Sequence, residues 1–389
     1  MSSLKLFLQS KKYFASASLY ACFSLMFSTW VTYIPYIAEK MGITEGRIGQ
    51  AIFFAAFGAF FMIRIARHFI DRVGVGRYTY YAFLVYSLFF FGPFMAYDFT
   101  TLCISMFMMG MASSSFAISL NSLISAIEKQ DGVYVMSASH GFWSLGGMTG
   151  AATGSFIAAA LHNPILHISV LLAVLIGFQT IFRHRYFYRR NENPPEEKDY
   201  RKKMKPLFFI ALVGLVMMVS EGAVADWSAL YLKKIVLVDL EFIGFGYSAF
   251  SFAMMVGRFS GDSLSKKLGS WKLIALTSLI AVFGFLLVLI TNPYISIPGF
   301  FIVGLGFSVV VPEVYRLASN VEGVKTADGV SFIAATSNIG FLVGPVMLGF
   351  IAELKSLHVS FMILTAFVSL AFFISFGKIR TLKIQKALQ

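Results

Sequence analysis

Apolar runs of about 20 residues recur a dozen times along this chain, and nothing else in it constrains the fold as strongly. A run of that length, wound as a helix, matches the roughly 30 Å hydrocarbon core of a bilayer. Inside lipid every backbone N–H and C=O must be bonded within the segment, so such runs are helices. Crossing strands would be about half as long and would alternate apolar with polar residues, which these do not. The runs predict spans at 13–37, 47–66, 77–97, 100–125, 137–160, 163–183, 207–232, 242–262, 272–291, 297–318, 329–353 and 357–379. Composition agrees. The 389 residues are 58% apolar and 13% charged, against about 25% charged in a soluble domain, and 43 Phe have no place in a water-soluble globule of this size. A soluble enzyme and a secreted disulfide scaffold are thereby excluded.

The net charge of +13 invites a nucleic-acid reading, but in a membrane protein Lys and Arg mark the loops held on the cytoplasmic side. With twelve spans, both ends and every even-numbered loop share a side. That side carries Lys5, Lys11 and Lys12, then Arg67, Arg72 and Arg77, then Lys266, Lys267 and Lys272, then Lys378, Arg380, Lys383 and Lys386, together with the basic stretch from Arg183 to Lys205. The opposite side has only Lys40, Arg47, Lys233, Lys234 and Lys355. Both termini are therefore expected in the cytoplasm, with the chain multi-pass in the inner (plasma) membrane, and no nucleic-acid partner. The first run is too long for a signal-peptide core and lacks a small-residue cleavage site after it. Cys22 and Cys103 sit within apolar runs and form no metal-ligand spacing, so neither a metal nor a cofactor is expected.

Arg189 to Lys198 is polar, charged and contains Pro194-Pro195, the composition of a flexible linker. It predicts an N-terminal six-helix bundle at 1–188, a cytoplasmic linker at 189–205 and a C-terminal six-helix bundle at 206–389. The halves echo each other. Asp71 after span 2 corresponds to Asp262 after span 8; Trp30 and Ile48-Gly49 correspond to Trp227 and Ile243-Gly244; Gly146, Gly150 and Gly154 correspond to Gly340, Gly344 and Gly349. All these offsets lie between 191 and 197 residues, so one half-unit is used twice in parallel.

On these features the whole chain resembles the major facilitator superfamily. Asp71, Arg72, Gly74 and Arg77 fit its loop signature Gly-x-Leu-Ala-Asp-Arg-x-Gly-Arg-Arg, with Arg67 in place of the leading Gly and Phe69 in place of the Leu. Gly257-Arg258 and Gly261-Asp262 form the second copy. Phe27-Ser28-Thr29-Trp30 with Ile34-Pro35, and Ser139-His140-Gly141-Phe142-Trp143-Ser144-Leu145-Gly146-Gly147, are similar to the fucose-permease-like branch of bacterial inner-membrane transporters. The resemblance implies an all-α membrane protein of two pseudo-symmetric six-helix bundles that open a central cavity to one side at a time. Spans 1, 4, 7 and 10 then line the cavity, spans 2, 5, 8 and 11 slide, and spans 3, 6, 9 and 12 face lipid.

Charge at bilayer depth costs about 2.5–3.5 kcal/mol even on the lenient scale, so acids within spans are the first candidates for function. Glu221, mid-span 7, is the leading proton-coupling candidate, the alternative being a permanently neutral Glu bonded across the bundle. Asp226 follows about 8 Å further out and about 140° around the helix, as a second proton site or an outer cap. His140, early in span 5, is either a relay or a helix cap. For substrate binding the candidates are Trp30 and Tyr33, their repeat partner Trp227, then Trp143, Asn121, Asn338 and Glu313. The aromatic set reads equally as an interfacial belt, the Asn residues as interhelical bonds, and Glu313 as an (i, i+3) ion pair with Arg316. Asp71, Arg72, Arg258 and Asp262 are expected to gate by pairing at inner helix ends. The glycine rows of spans 5 and 11 are packing surfaces.

No Walker motif or paired catalytic groups at one depth stand out, which argues against an ATP-driven pump and an intramembrane enzyme. The expectation is a monomeric secondary active transporter that moves a small polar solute, a sugar or related metabolite, in symport with protons. A proton-coupled exporter and a non-transporting receptor with the same fold are the alternatives.

Overall fold

A computed structural model of the chain describes residues 10–133, 135–188, 205–322, 324 and 326–387. The linker placed at 189–205 thus lies outside the described residues except for the backbone of Lys205. The side chains of several helical residues, Asp262 and Asn338 among them, also lie outside. No strand occurs among the described residues. The long helices are α1 Lys11–Met41, α2 Glu45–Val73, α3 Val75–Phe89, α4 Phe99–Asp131, α5 Met136–Leu161, α6 Pro164–Phe182, α7 Phe208–Tyr231, α8 Phe245–Leu268, α9 Ser270–Val288, α10 Pro293–Phe307, α11 Val310–Ser319, α12 Thr326–Leu354 and α13 Leu357–Ala387. Among the described residues, 8 helices are long and apolar enough to cross a membrane by length and composition.

Local chemistry explains where the helices stop and start. Spans 5 and 6 are separated by His162 in the left-handed region (φ 50°) and by Asn163, whose side chain accepts the Leu166 N–H at 3.1 Å while Pro164 takes the first helical position. Spans 3 and 4 are separated by a reciprocal cap. Asp98 Oδ1 accepts the Thr101 N–H at 2.7 Å, and Thr101 Oγ1 accepts the Asp98 N–H at 3.2 Å. Span 10, read from sequence as one helix, is two. Pro312 offers no N–H and its ring crowds the carbonyl four residues back, so the chain turns at Ser308–Val309 between α10 and α11. Pro93 ends α3 at Phe89 in the same way, and a single turn Gly92–Met95 follows.

The Asp98 cap carries a pH signature. The Thr101 N–H, and after it the Thr101 hydroxyl, hold the Asp98 carboxyl below the usual carboxylate range. A depressed folded-state value means that the stabilisation is complete above the unfolded value of about 4 and is lost as pH falls through the folded value. Wild type is therefore expected to melt above Asp98→Ala at neutral pH and to lose that advantage at acid pH. Melting curves of the two proteins across pH check this, and a difference independent of pH counts against the carboxylate as the source.

By contacts the described residues form two compact units, one within Met1–Pro195 plus Leu240–Phe242, the other within Glu196–Asp239 plus Ile243–Gln389. In the first, α1 packs on α5, and α4 packs on both α2 and α3. Glycines permit the close crossings: a Cβ on Gly146 falls on the Ala21 carbonyl, and one on Gly110 falls on the Ala55 carbonyl. In the second unit α7 packs on α12, and α10 packs on both α8 and α9. A Cβ on Gly340 comes within 2.6 Å of the Leu215 carbonyl oxygen, and one on Gly304 falls on the Phe250 carbonyl. The same helix pairing thus recurs in each half, which is the structural form of the repeat. Exposed large apolar side chains run at helical spacing along α3 (Tyr81, Val85, Leu88), α6 (Val170, Val174, Ile181), α9 (Leu276, Leu279, Phe283, Leu286) and α13 (Met362, Leu370, Phe373). Stripes of this kind suit acyl chains, not water.

Candidate functional site

The second unit holds an ion pair within its helices. Glu221 lies near the middle of α7, with its side chain 23% exposed, and its Oε1 stands 3.8 Å from Arg258 Nη2. This corrects the placement of Arg258 at an inner helix end. The helix α8 runs on to Leu268, so Arg258 sits ten residues, about 15 Å, short of that end and level with an acid on the neighbouring helix. Neither charge suits apolar surroundings by itself. Facing each other, they offset much of the desolvation each suffers. At 3.8 Å the contact is an ion pair and longer than a hydrogen bond.

Tyr247 joins this cluster from the first turn of α8. It hydrogen-bonds Ser251 and lies within electrostatic reach of Glu221, Asp226 and Arg258. Asp226 is 3% exposed and makes no hydrogen bond or ion pair among the described residues. Trp227 beside it is fully buried, and its Nε1 has no hydrogen-bond partner among the described residues. Tyr247 drew no attention in the sequence because an aromatic at the outer third of a span reads as belt; its polar neighbours exist only through packing.

The first unit gathers polar and aromatic groups from α1, α4 and α5. Tyr20 Oη donates to Asn121 Oδ1 at 2.7 Å, and the Asn121 amide nitrogen donates to the Ala117 carbonyl at 2.8 Å. The His140 ring tilts over Tyr20 with centroids 5.0 Å apart. Trp143, one turn on, meets Phe23 edge-on at 5.0 Å and stacks on Phe27 at 6.2 Å. Asn121 is exposed and His140 and Trp143 are half-buried, so all three can be reached. The structure brings these three predicted residues together and adds Tyr20, which sequence reasoning missed.

Other predicted residues go elsewhere. Trp30 and Tyr33 are buried within the first unit, packing edge-on against Phe94 at 6.0 and 5.5 Å. Tyr33 Oη bonds His167 Nδ1 at 3.0 Å, and in the second unit Tyr231 Oη bonds His358 Nδ1 at 3.1 Å. The two Tyr–His pairs tie the first helix of each half to its last. Their sequence signal was present, since His167 and His358 are 191 residues apart, matching the Asp71–Asp262 offset. Trp227 is enclosed as well, so the three predicted aromatics Trp30, Tyr33 and Trp227 are all buried. Glu313, 1% exposed, is engaged by Arg316 at 2.9 Å and by the Ser265 hydroxyl at 2.9 Å; Arg316 also bonds Ser265. This triad fastens α8 to α11. Asp71 and Arg72 are exposed in the last turn of α2, while the Asp262 and Asn338 side chains lie outside the described residues.

A bundle of paired helices used twice, with ion pairs at membrane depth and lipid-facing stripes, defines a class of membrane transporter. The chain belongs to the Major Facilitator Superfamily, whose family model matches residues 16–323. It is 28% identical over 355 residues to an uncharacterized transporter of Sinorhizobium fredii, covering 89% of this chain and 92% of that one. It is 27% identical over 337 residues to an uncharacterized MFS-type transporter of Yersinia pestis, covering 86% and 87%. Its fold matches the crystal structure of the nucleoside transporter NupG with a TM-score of 0.73 at 12% identity, covering 95% of this chain and 99% of that one. The protein is therefore a multi-pass membrane transporter of this superfamily.

Proposed function

We propose that this transporter moves a small polar solute, a sugar or related metabolite, by alternating access in symport with protons. It sits in the inner membrane with both termini cytoplasmic and works as a monomer. The observation that carries the reading is the concentration of ionic groups in α7 and α8. Glu221, Asp226 and Arg258 would each cost about 2.5–3.5 kcal/mol at bilayer depth, and such groups persist where water, ions or cargo reach them. The first unit supplies the complementary chemistry for a neutral solute. Asn121 and His140 offer hydrogen bonds, and Trp143 offers an aromatic face of the kind that lies against a sugar ring. The motifs around Phe27 and His140 favour the fucose-permease-like branch. The fold likeness to a nucleoside transporter adds nucleosides to the solutes worth testing.

The test is a thermal-shift screen of purified protein against sugars, amino acids and nucleosides. At a hundred times its Kd a bound solute stabilises by about 2.7 kcal/mol. At least one compound is expected to raise the melting point of wild type and to lose that effect with Asn121→Ala or Trp143→Ala. Vesicles loaded with that compound then set the direction: acid-outside uptake supports symport, and proton-driven efflux establishes the exporter instead. A binder that shows no counterflow leaves a receptor and sinks the transport reading.

A further inference from the structure

We infer that, within the proton-coupled reading above, the carboxyl that takes up and releases the proton is Asp226, with Glu221 kept as the ionised partner of Arg258. Both acids lie on α7, five residues and about 8 Å apart, and that difference in depth does not by itself choose between them. Their surroundings do. Glu221 faces a guanidinium at 3.8 Å, and that positive charge favours the ionised form of its carboxyl. Asp226 is 97% enclosed and has no hydrogen bond or ion pair among the described residues. A carboxylate in that setting has nothing to offset its desolvation, whereas a neutral carboxylic acid is tolerated.

The charged and titratable groups on the helices packed against α7 leave this contrast intact. On α8 they are Tyr247, which bonds Ser251, Arg258, which faces Glu221, and Asp262, Lys266 and Lys267 in the last two turns, at the end of the helix away from Tyr247. On α11, Glu313 and Arg316 engage each other; on α13, His358 bonds Tyr231; and on α12, Glu353 lies in the last turn. Lys233 and Lys234 sit in the π turn after α7, about 10 Å beyond Asp226 along the axis. None of these forms an ion pair with Asp226. The balance is one proton added to an Asp226 carboxylate oxygen from one side of the membrane and the same proton given up to the other, with no electron moving.

Infrared difference spectroscopy on the lipid-reconstituted protein, taken around neutral pH where solvated carboxyls are ionised, reads the neutral carboxylic acid directly. No solute is needed, so this result is independent of whether any compound is transported. Wild type is expected to show the C=O band of a protonated acid, Asp226→Asn to lose it, and Glu221→Gln to keep it. Asp226→Glu, which retains an acid and guards against a misfolded Asn variant, is expected to show a shifted band. A band that survives Asp226→Asn, or disappears with Glu221→Gln, overturns the assignment, as does a wild type with no band. Absence of solute counterflow would instead count against the transport reading and leave the spectroscopic assignment standing.

Discussion

Replacing Arg258 by Leu is expected to destabilise the solubilised protein by about 3 kcal/mol, and adding Glu221→Gln to recover most of that loss. The reasoning follows from the pair itself. Removing one partner of a buried ion pair typically costs 3–5 kcal/mol because the other charge is left uncompensated. The lower end applies here, since both side chains keep about a quarter of their surface, 24% and 23%. Neutralising the second partner removes the stranded charge. Equilibrium unfolding of the four proteins of a double-mutant cycle measures the coupling, and additive losses would show that the pair carries no shared energy. The pair also separates two ideas about α8. A gating arginine that answers to loop acids predicts no coupling to Glu221, whereas the observed geometry predicts strong coupling.

Gly110→Leu should have an effect at least as large on the recovery of folded protein. A Cβ at Gly110 falls on the backbone carbonyl of Ala55 in α2, and a backbone cannot move aside as a side chain can. Overpacking a well-fitted site costs about 1–3 kcal/mol, and the upper figure or more is expected where the obstacle is main chain. Gly177→Leu is the matched control. It lies in α6, a Cβ there meets nothing within 4 Å, and helix propensity favours the change by up to about 1 kcal/mol. The measurement is the monodisperse fraction after detergent extraction together with the melting midpoint. Equal yields for the two variants would mean that the α2–α4 crossing is looser than it looks. Gly146 and Gly340, at corresponding crossings of the two halves, are expected to behave like Gly110.

Much of the helix framework could be read from the chain, because the bilayer demands a fixed length of apolar helix and leaves few alternatives. The breaks around Asp98 and Asn163 follow from side chains that cap the next helix, and the glycine rows follow from a spacing of four in span 5 and of four and then five in span 11. The split of span 10 was equally present in Pro312, whose effect on a carbonyl four residues back is a local matter. Hydropathy hid it, since the apolar run continues through the turn.

The candidate site was less legible. Periodicity gives the depth and the face of a residue on its own helix, and so it singled out Glu221 and Asp226 as costly. It does not say which helix stands opposite. Arg258 and Tyr247 became neighbours of those acids, Tyr20 became the partner of Asn121, and Tyr33 and Tyr231 turned inward to His167 and His358, only through packing. A side chain's ionic partner is set by distances of a few ångströms between segments that are tens of residues apart in the chain, and a one-dimensional pattern does not encode them. The all-helical framework, the repeat and the class were therefore properties of the sequence, whereas the division between a paired acid and an unpaired one was decided by the tertiary structure, because charge at membrane depth is governed by what lies within about 4 Å of it.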